Sequence, residues 1–122
     1  MNQYSPEAAS RGEPSYVWRQ GQQRRLQMML SALPVHTGSR ILVDGCGLGV
    51  YVRELSQFYK NVHGLDIEIS RLASSVVDSD LLVAGQCEHL PYADGCFDYV
   101  ISHEVLEHVQ DDNVAASEII RV

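Results

Sequence analysis

The chain has 122 residues, with nine Lys or Arg against 16 Asp or Glu and a formal net charge of −7. That length fits one domain with a real core, and 45% apolar with 20% charged residues excludes a disordered chain. The acidic balance excludes non-specific nucleic-acid binding as the main activity, and no run approaches the roughly 18 apolar residues of a membrane span, so neither nucleic acid nor membrane is an expected partner.

Residues 1–14 hold Pro6, Gly12 and Pro14 among polar residues, with no apolar signal-peptide core, and are predicted to be a flexible arm. Residues 15–122 are predicted to form the folded domain. Charge divides unevenly: residues 1–40 carry +3 and residues 41–122 carry −10. Ser15 is placed to cap a helix running to about Leu33, with Pro34 as its stop. Leu26, Met29, Leu30 and Leu33 give that helix one apolar face.

Arg40 to Asp44 is a short branched apolar run ended by glycine and reads as a strand buried on both faces. Val50 to Tyr59 follows as a helix, with Tyr51, Leu55, Phe58 and Tyr59 on one side. Asn61 to Asp66 is a second strand, Ile69 to Val77 a short helix, Leu81 to Ala84 a third strand and Phe97 to Ser102 a fourth. Asp111 or Asp112 caps a last helix carrying Val114, Ala115, Ile119 and Ile120. This alternation predicts an α/β fold: a parallel, Rossmann-like sheet with right-handed crossovers and helices on both faces. Ligands of such sheets bind beyond the carboxyl ends of the strands, which here are Asp44, Asp66, Ala84 and Ser102.

After the first strand stands Asp44-Gly45-Cys46-Gly47-Leu48-Gly49, followed at once by a helix. Glycines there permit a sharp turn and a close approach by a ligand. The dinucleotide fingerprint Gly-x-Gly-x-x-Gly would need glycine where Val50 stands, which disfavours a nicotinamide oxidoreductase. Asp66, at the end of the second strand, is placed to accept bonds from both hydroxyls of a ribose. A diol supplies the two donors that a buried carboxylate requires.

The run Ile41 to Gly49 resembles the first motif of the class I S-adenosylmethionine-dependent methyltransferases. Gly85 to Ser102 and His103-Glu104-Val105-Leu106-Glu107-His108-Val109 resemble two further motifs of the small-molecule branch often called type 11. The resemblance implies a methyltransferase with S-adenosylmethionine as cofactor and a small-molecule acceptor. It implies that Asp44, Gly45, Cys46, Gly47 and Gly49 surround the methionine end. Asp66 would hold the ribose and Ile67 would pack on the adenine. Gln86 stands where the family often has Asp facing the adenine amino group. Cys87, through its backbone N–H, and Glu88 would lie beside the adenine, and Ser102 and His103 near the sulfonium. The family's sheet runs in the order 3-2-1-4-5 and onward. In it, the last helix leads through an Arg-Val-Leu-Lys-Pro-Gly-Gly-like stretch to a fifth strand, and this chain stops inside that stretch, at Arg121-Val122. The expectation is therefore a domain truncated after the fourth strand. Its exposed edge would be covered by a second copy or a partner chain. A cofactor-binding or interaction module without turnover is the alternative function.

His103 is the candidate catalytic base by type and place. A pocket-wall role is the favoured reading, because transfer from a sulfonium needs mainly aligned approach and desolvation. The string from His103 to His108 does not hold a zinc-protease motif, since the second His falls at i+5 rather than i+4. Cys87, His89 and Cys96 lack metal-ligand spacing, so no metal is expected. The odd, scattered cysteines read as reduced thiols and predict a cytoplasmic location. Phe97 reads as core, Asp98 as a structural hydrogen-bonding acid, and His108 as capping or packing around the end of the fourth strand. Tyr16, Trp18, Arg19 and Arg24 read as half-buried or solvated helix residues, with covering the cofactor as the lesser alternative.

Overall fold

A computed structural model describes residues 20–33, 36–103 and 105–122. The expected arm, the Ser15 cap, Tyr16, Trp18, Arg19, Pro34 and Glu104 lie outside the described residues.

The described elements are α1 (Gln20–Ala32), β1 (Arg40–Asp44), α2 (Val50–Leu55), β2 (Asn61–Asp66), α3 (Ile69–Ala73), β3 (Leu82–Ala84), β4 (Tyr99–Ser102) and α4 (Asp112–Arg121). The four strands form one parallel sheet in the order β3-β2-β1-β4. The chain winds outward from β1 through β2 to β3, then returns to the other side of β1. The strand order therefore reverses between β1 and β4, where Asp44 and Ser102 are register partners.

β1 is central, and its side chains alternate between two cores, as a pleat of period two requires. Ile41 and Val43 pack with Leu26 of α1, with Val52 and Leu55 of α2, and with Tyr59 and Val62. Leu42 faces the opposite way and packs with Leu65, Leu90 and Val122, with Tyr92, Phe97 and Val100 alongside. Helices therefore cover both faces, and a continuous apolar run is what a strand between them needs.

The outer elements are shorter than their sequence pattern. α2 ends at Leu55 because the next amides bond three residues back, Gln57 N–H to the Glu54 carbonyl and Phe58 N–H to the Leu55 carbonyl. Phe58 consequently faces solvent, while Val52 and Leu55 are fully buried. β4 starts at Tyr99 rather than Phe97, since the Phe97 amide donates to the Val122 carbonyl at 2.8 Å instead of entering the ladder. The α3 helix stops at Ala73, where the Ser74 and Ser75 amides turn back to the Arg71 and Leu72 carbonyls.

Two acids act as the sequence suggests. Asp111 caps α4 by accepting from the Asn113 and Val114 amides, both at 3.1 Å. Asp98 accepts from the Arg40 amide at 2.8 Å and from its guanidinium at 3.2 and 3.3 Å, while Asp98 N–H returns a bond to the Arg40 carbonyl. That fork fixes the register of β4 against β1. His108 differs from expectation: its side chain is 76% exposed, 3.9 Å from Glu107, and does not pack around β4.

Candidate functional site

Between Asp44 and Val50 the chain must turn from strand to helix. It does so on left-handed backbone, with φ of 70° at Gly45 and 79° at Gly49. A Cβ on Gly45 would collide with Cγ2 of Val105, and one on Gly49 would meet Cγ2 of Val77 at 3.0 Å. Neither position admits a side chain. Three amides of the turn are engaged within the protein. Cys46 N–H donates to the Leu65 carbonyl, Gly49 N–H to the Cys46 carbonyl, and Gly47 N–H to Asp66 Oδ2 at 2.8 Å.

Two carboxylates flank this turn, and they are held differently. Asp66, 4% exposed, accepts Gly47 N–H on Oδ2 and Glu68 N–H on Oδ1, both at 2.8 Å. Each oxygen keeps a lone pair for a further donor. Asp44, 1% exposed, has softer partners: the Cys87 thiol donates to Oδ1 at 2.9 Å and the Ser102 hydroxyl to Oδ2 at 3.5 Å. Burial pushes the Asp44 carboxyl above its ordinary pKa, and the bonds from Cys87 and Ser102 pull it back only in part. The nearby charge of Asp66 adds to the rise.

The thiols here are donors, not nucleophiles. Burial, then the Asp44 carboxylate, drives Cys87 far above the usual thiol range. Cys46 is pushed up to about 12 by burial and then by the charge of Asp66. Its sulfur seats against Gly64 of β2, where a Cβ would come within 2.8 Å.

The other expected positions spread around this centre. Ile67, just past β2, is 64% exposed. Gln86 is exposed and Glu88 half-buried in the turn after β3, closed by His89 N–H to the Gln86 carbonyl at 3.1 Å. Gly85 N–H donates to the Asp66 carbonyl, which ties that turn to the end of β2. Ser102 and His103 are half-buried at the end of β4, and the His103 ring meets Tyr51 edge-on with centroids 6.4 Å apart. The structure thus joins Asp44, Cys87 and Ser102, and separately joins Gly47 to Asp66. Among the described residues no three of His, Cys, Asp and Glu gather as a metal-holding group.

Two neighbours were not singled out from sequence. Val105 sits against Gly45, and Tyr51 lies beside His103. The signal for Val105 was only its place in the run after the fourth strand. Tyr51 reads simply as part of an apolar helix side.

Residues 42–122 match the family described as "Methyltransferase domain". The chain belongs to this family of S-adenosylmethionine-dependent domains. It is 31% identical over 98 residues to the malonyl-[acyl-carrier protein] O-methyltransferase of Pectobacterium atrosepticum, covering 79% of this chain and 39% of that protein. It is 36% identical over 97 residues to the sterol 24-C-methyltransferase erg6 of Schizosaccharomyces pombe, covering 72% of this chain and 26% of that protein. The YcgJ protein of Bacillus subtilis shares the fold, with a TM-score of 0.75 at 21% identity over 82% of this chain and 46% of that one. The chain spans less than half the length of these relatives.

Proposed function

We propose that residues 15–122 form the S-adenosylmethionine-binding part of a methyltransferase that acts on a small-molecule acceptor. The observation that carries this reading is the pair of buried carboxylates flanking a tight turn whose Gly45 and Gly49 are crowded against Val105 and Val77. Asp66 keeps one lone pair on each oxygen, which suits the two hydroxyls of a ribose. Asp44 is a buried carboxylate whose side-chain donors, a thiol and a distant hydroxyl, are weak, which suits the ammonium of a methionine end. Gly45 and Gly49 hold the turn tight against Val105 and Val77, and its backbone, with Gly47 and Cys46 between them, is the surface offered to the methionine end.

Ile67 offers an exposed apolar surface for the adenine. The Gln86 amide, with the backbone at Cys87 and Glu88, borders its polar edge. S-adenosylmethionine, when bound, supplies a sulfonium methyl that an acceptor nucleophile takes by in-line displacement, leaving S-adenosylhomocysteine. Ser102 and His103 wall the side where the acceptor enters. His103 takes a proton only from an acceptor that must lose one. The two curated relatives are named for an O- and a C-methyl transfer, which supports a shared donor site with differing acceptors.

Binding without turnover is the second reading, because every residue invoked lies within 44–103 and the chain covers less than half of its relatives. The free outer edge of β4 is proposed as the place for a further strand, from a second copy or a partner chain. Free cysteines fit a reducing setting, and the cytoplasm is the proposed location. In the described residues no helix is long and apolar enough to cross a membrane.

Calorimetric titration tests both readings. S-adenosylhomocysteine should bind and NADH should not; tight NADH binding would overturn both. Asp66→Ala should lower S-adenosylhomocysteine affinity about 10- to 150-fold, the equivalent of roughly 1.5–3 kcal/mol for a charged acceptor. An unchanged affinity would refute the ribose role. Methyl transfer to any acceptor by this chain would remove the reading without turnover.

A further inference from the structure

Cys87 carries an unexpected contact. The resemblance gives this position only a backbone N–H toward the adenine, yet its thiol points at the other end of the site. The S–H donates to Asp44 Oδ1 at 2.9 Å, bridging 43 residues of chain from the turn after β3 to the end of β1. Cys87 is 8% exposed and Asp44 is 1% exposed, so the bond lies away from water. Cys46, by contrast, directs its sulfur to the Gly47 carbonyl at 3.9 Å. The second partner of Asp44, the Ser102 hydroxyl, is at the outer limit of a hydrogen bond.

We infer that Cys87 is a positioning residue for Asp44, holding the carboxylate in the orientation from which it receives the ammonium of the cofactor's amino-acid end. The inference rests on the cofactor reading above. The chemistry suits a thiol. It must stay protonated to donate, and losing its proton would set two negative charges 2.9 Å apart. It is a weak donor, so it orients the carboxylate without satisfying it. The remaining negative charge is left for the ligand. A water-filled or apolar substitute would let the carboxylate turn or leave it less well held.

The experiment compares two ligands on three proteins. S-adenosylhomocysteine carries the amino-acid end; 5′-methylthioadenosine keeps the adenine, ribose and sulfur and lacks it. Calorimetry on the unsubstituted chain, Cys87→Ala and Cys87→Ser reads both affinities. Cys87→Ala should bind S-adenosylhomocysteine about five- to tenfold more weakly, up to ~1.4 kcal/mol. It should bind 5′-methylthioadenosine unchanged, which also reports an intact fold. Cys87→Ser keeps a donor and should stay within about threefold of the parent for both ligands. An equal loss for both ligands in Cys87→Ala would make the residue part of the adenine wall and overturn the inference. An undiminished S-adenosylhomocysteine affinity in Cys87→Ala, with the parent binding normally, overturns this inference alone. No binding by the parent overturns the cofactor reading with it. If Cys87→Ala does not fold, the infrared S–H stretch of the parent decides. The band lost in Cys87→Ser should lie below the one lost in Cys96→Ser, and a Cys87 band at or above it overturns the hydrogen bond.

Discussion

Asp44 shows a single residue set between binding and stability. Its carboxyl is held above the ordinary pKa by burial, even with Cys87 and Ser102 donating to it. A carboxyl that holds its proton more tightly when folded makes the native state bind more protons than the unfolded one. Stability therefore falls as pH rises from the unfolded Asp value of about 3.9 through the raised folded value. Below that window the ionisation has no effect. Asp44→Asn keeps one acceptor oxygen for the thiol, turns an amide N–H2 toward the Ser102 hydroxyl, which can accept from it, and removes the charge. It is expected to melt above the parent at neutral pH and level with it in strong acid, while binding S-adenosylhomocysteine more weakly. Thermal unfolding followed across pH checks this. A variant that melts lower than the parent at neutral pH would mean that the buried charge is fully offset.

Among the elements, α4 holds the loop before β4 through one side chain. The Arg121 guanidinium donates to the Leu90 carbonyl at 3.0 Å, the Tyr92 carbonyl at 2.8 Å, Asp94 at 2.7 Å and Glu118 at 2.7 Å. Gly95 N–H and Phe97 N–H return bonds to the Arg121 and Val122 carbonyls, and Leu90 N–H donates to Glu118. The ion pairs themselves reach solvent and are weak. The carbonyl contacts, which order a loop lacking its own ladder, matter more. Arg121→Ala should lower the melting temperature and speed proteolysis between residues 90 and 97, with Arg121→Lys intermediate. An unchanged melting temperature and cleavage rate would dismiss the clasp. Arg121 holds the Glu118 carboxyl below the usual range. The clasp's contribution is therefore full above the ordinary Glu range and is lost as pH falls through that lowered value.

How far these elements were legible from sequence follows the same physics. β1 and β2 match to the residue: the branched apolar run of β1 is what a strand buried on both faces needs, and Asp44-Gly45 and Asp66 end the two strands sharply. Two helices, α2 and α3, are shorter than their sequence pattern; in α2 the apolar spacing continues through Phe58 and Tyr59 after the backbone has left the helix. The motifs placed Asp44 and Asp66 at neighbouring strand ends. They did not show that Cys87 turns its thiol to Asp44 or that Val105 covers Gly45. Those contacts depend on how distant segments approach, and no local pattern encodes that.

For the whole molecule, the feature that governs association is the outer edge of β4. Tyr99 to Ser102 has neither Lys nor Pro to blunt it, and no described strand pairs with that side. Beside it, the end of α1 and β4 flank an open apolar hollow of about 270 Å³ lined by Met28, Met29, Leu33, Tyr99 and Ile101. A second copy of the chain pairing there should give a solution mass that climbs from monomer to dimer with concentration. Light scattering measures it, and a monomer mass throughout would set the second copy aside.

The strand order also governs time. β1 meets β2 after one short crossover, but β4 reaches β1 only when a segment of 58 residues has closed, as the Arg40–Asp98 fork marks. Closing a longer segment costs more chain entropy before any contact repays it. Ser102 and Cys87 arrive at Asp44 across 58 and 43 residues, so the pocket's acidic centre is complete only once β4 has docked. During synthesis, Asp44 is made early and waits with its charge in water. Desolvation of that charge therefore waits on the docking of β4 rather than on the pairing of β1 with β2.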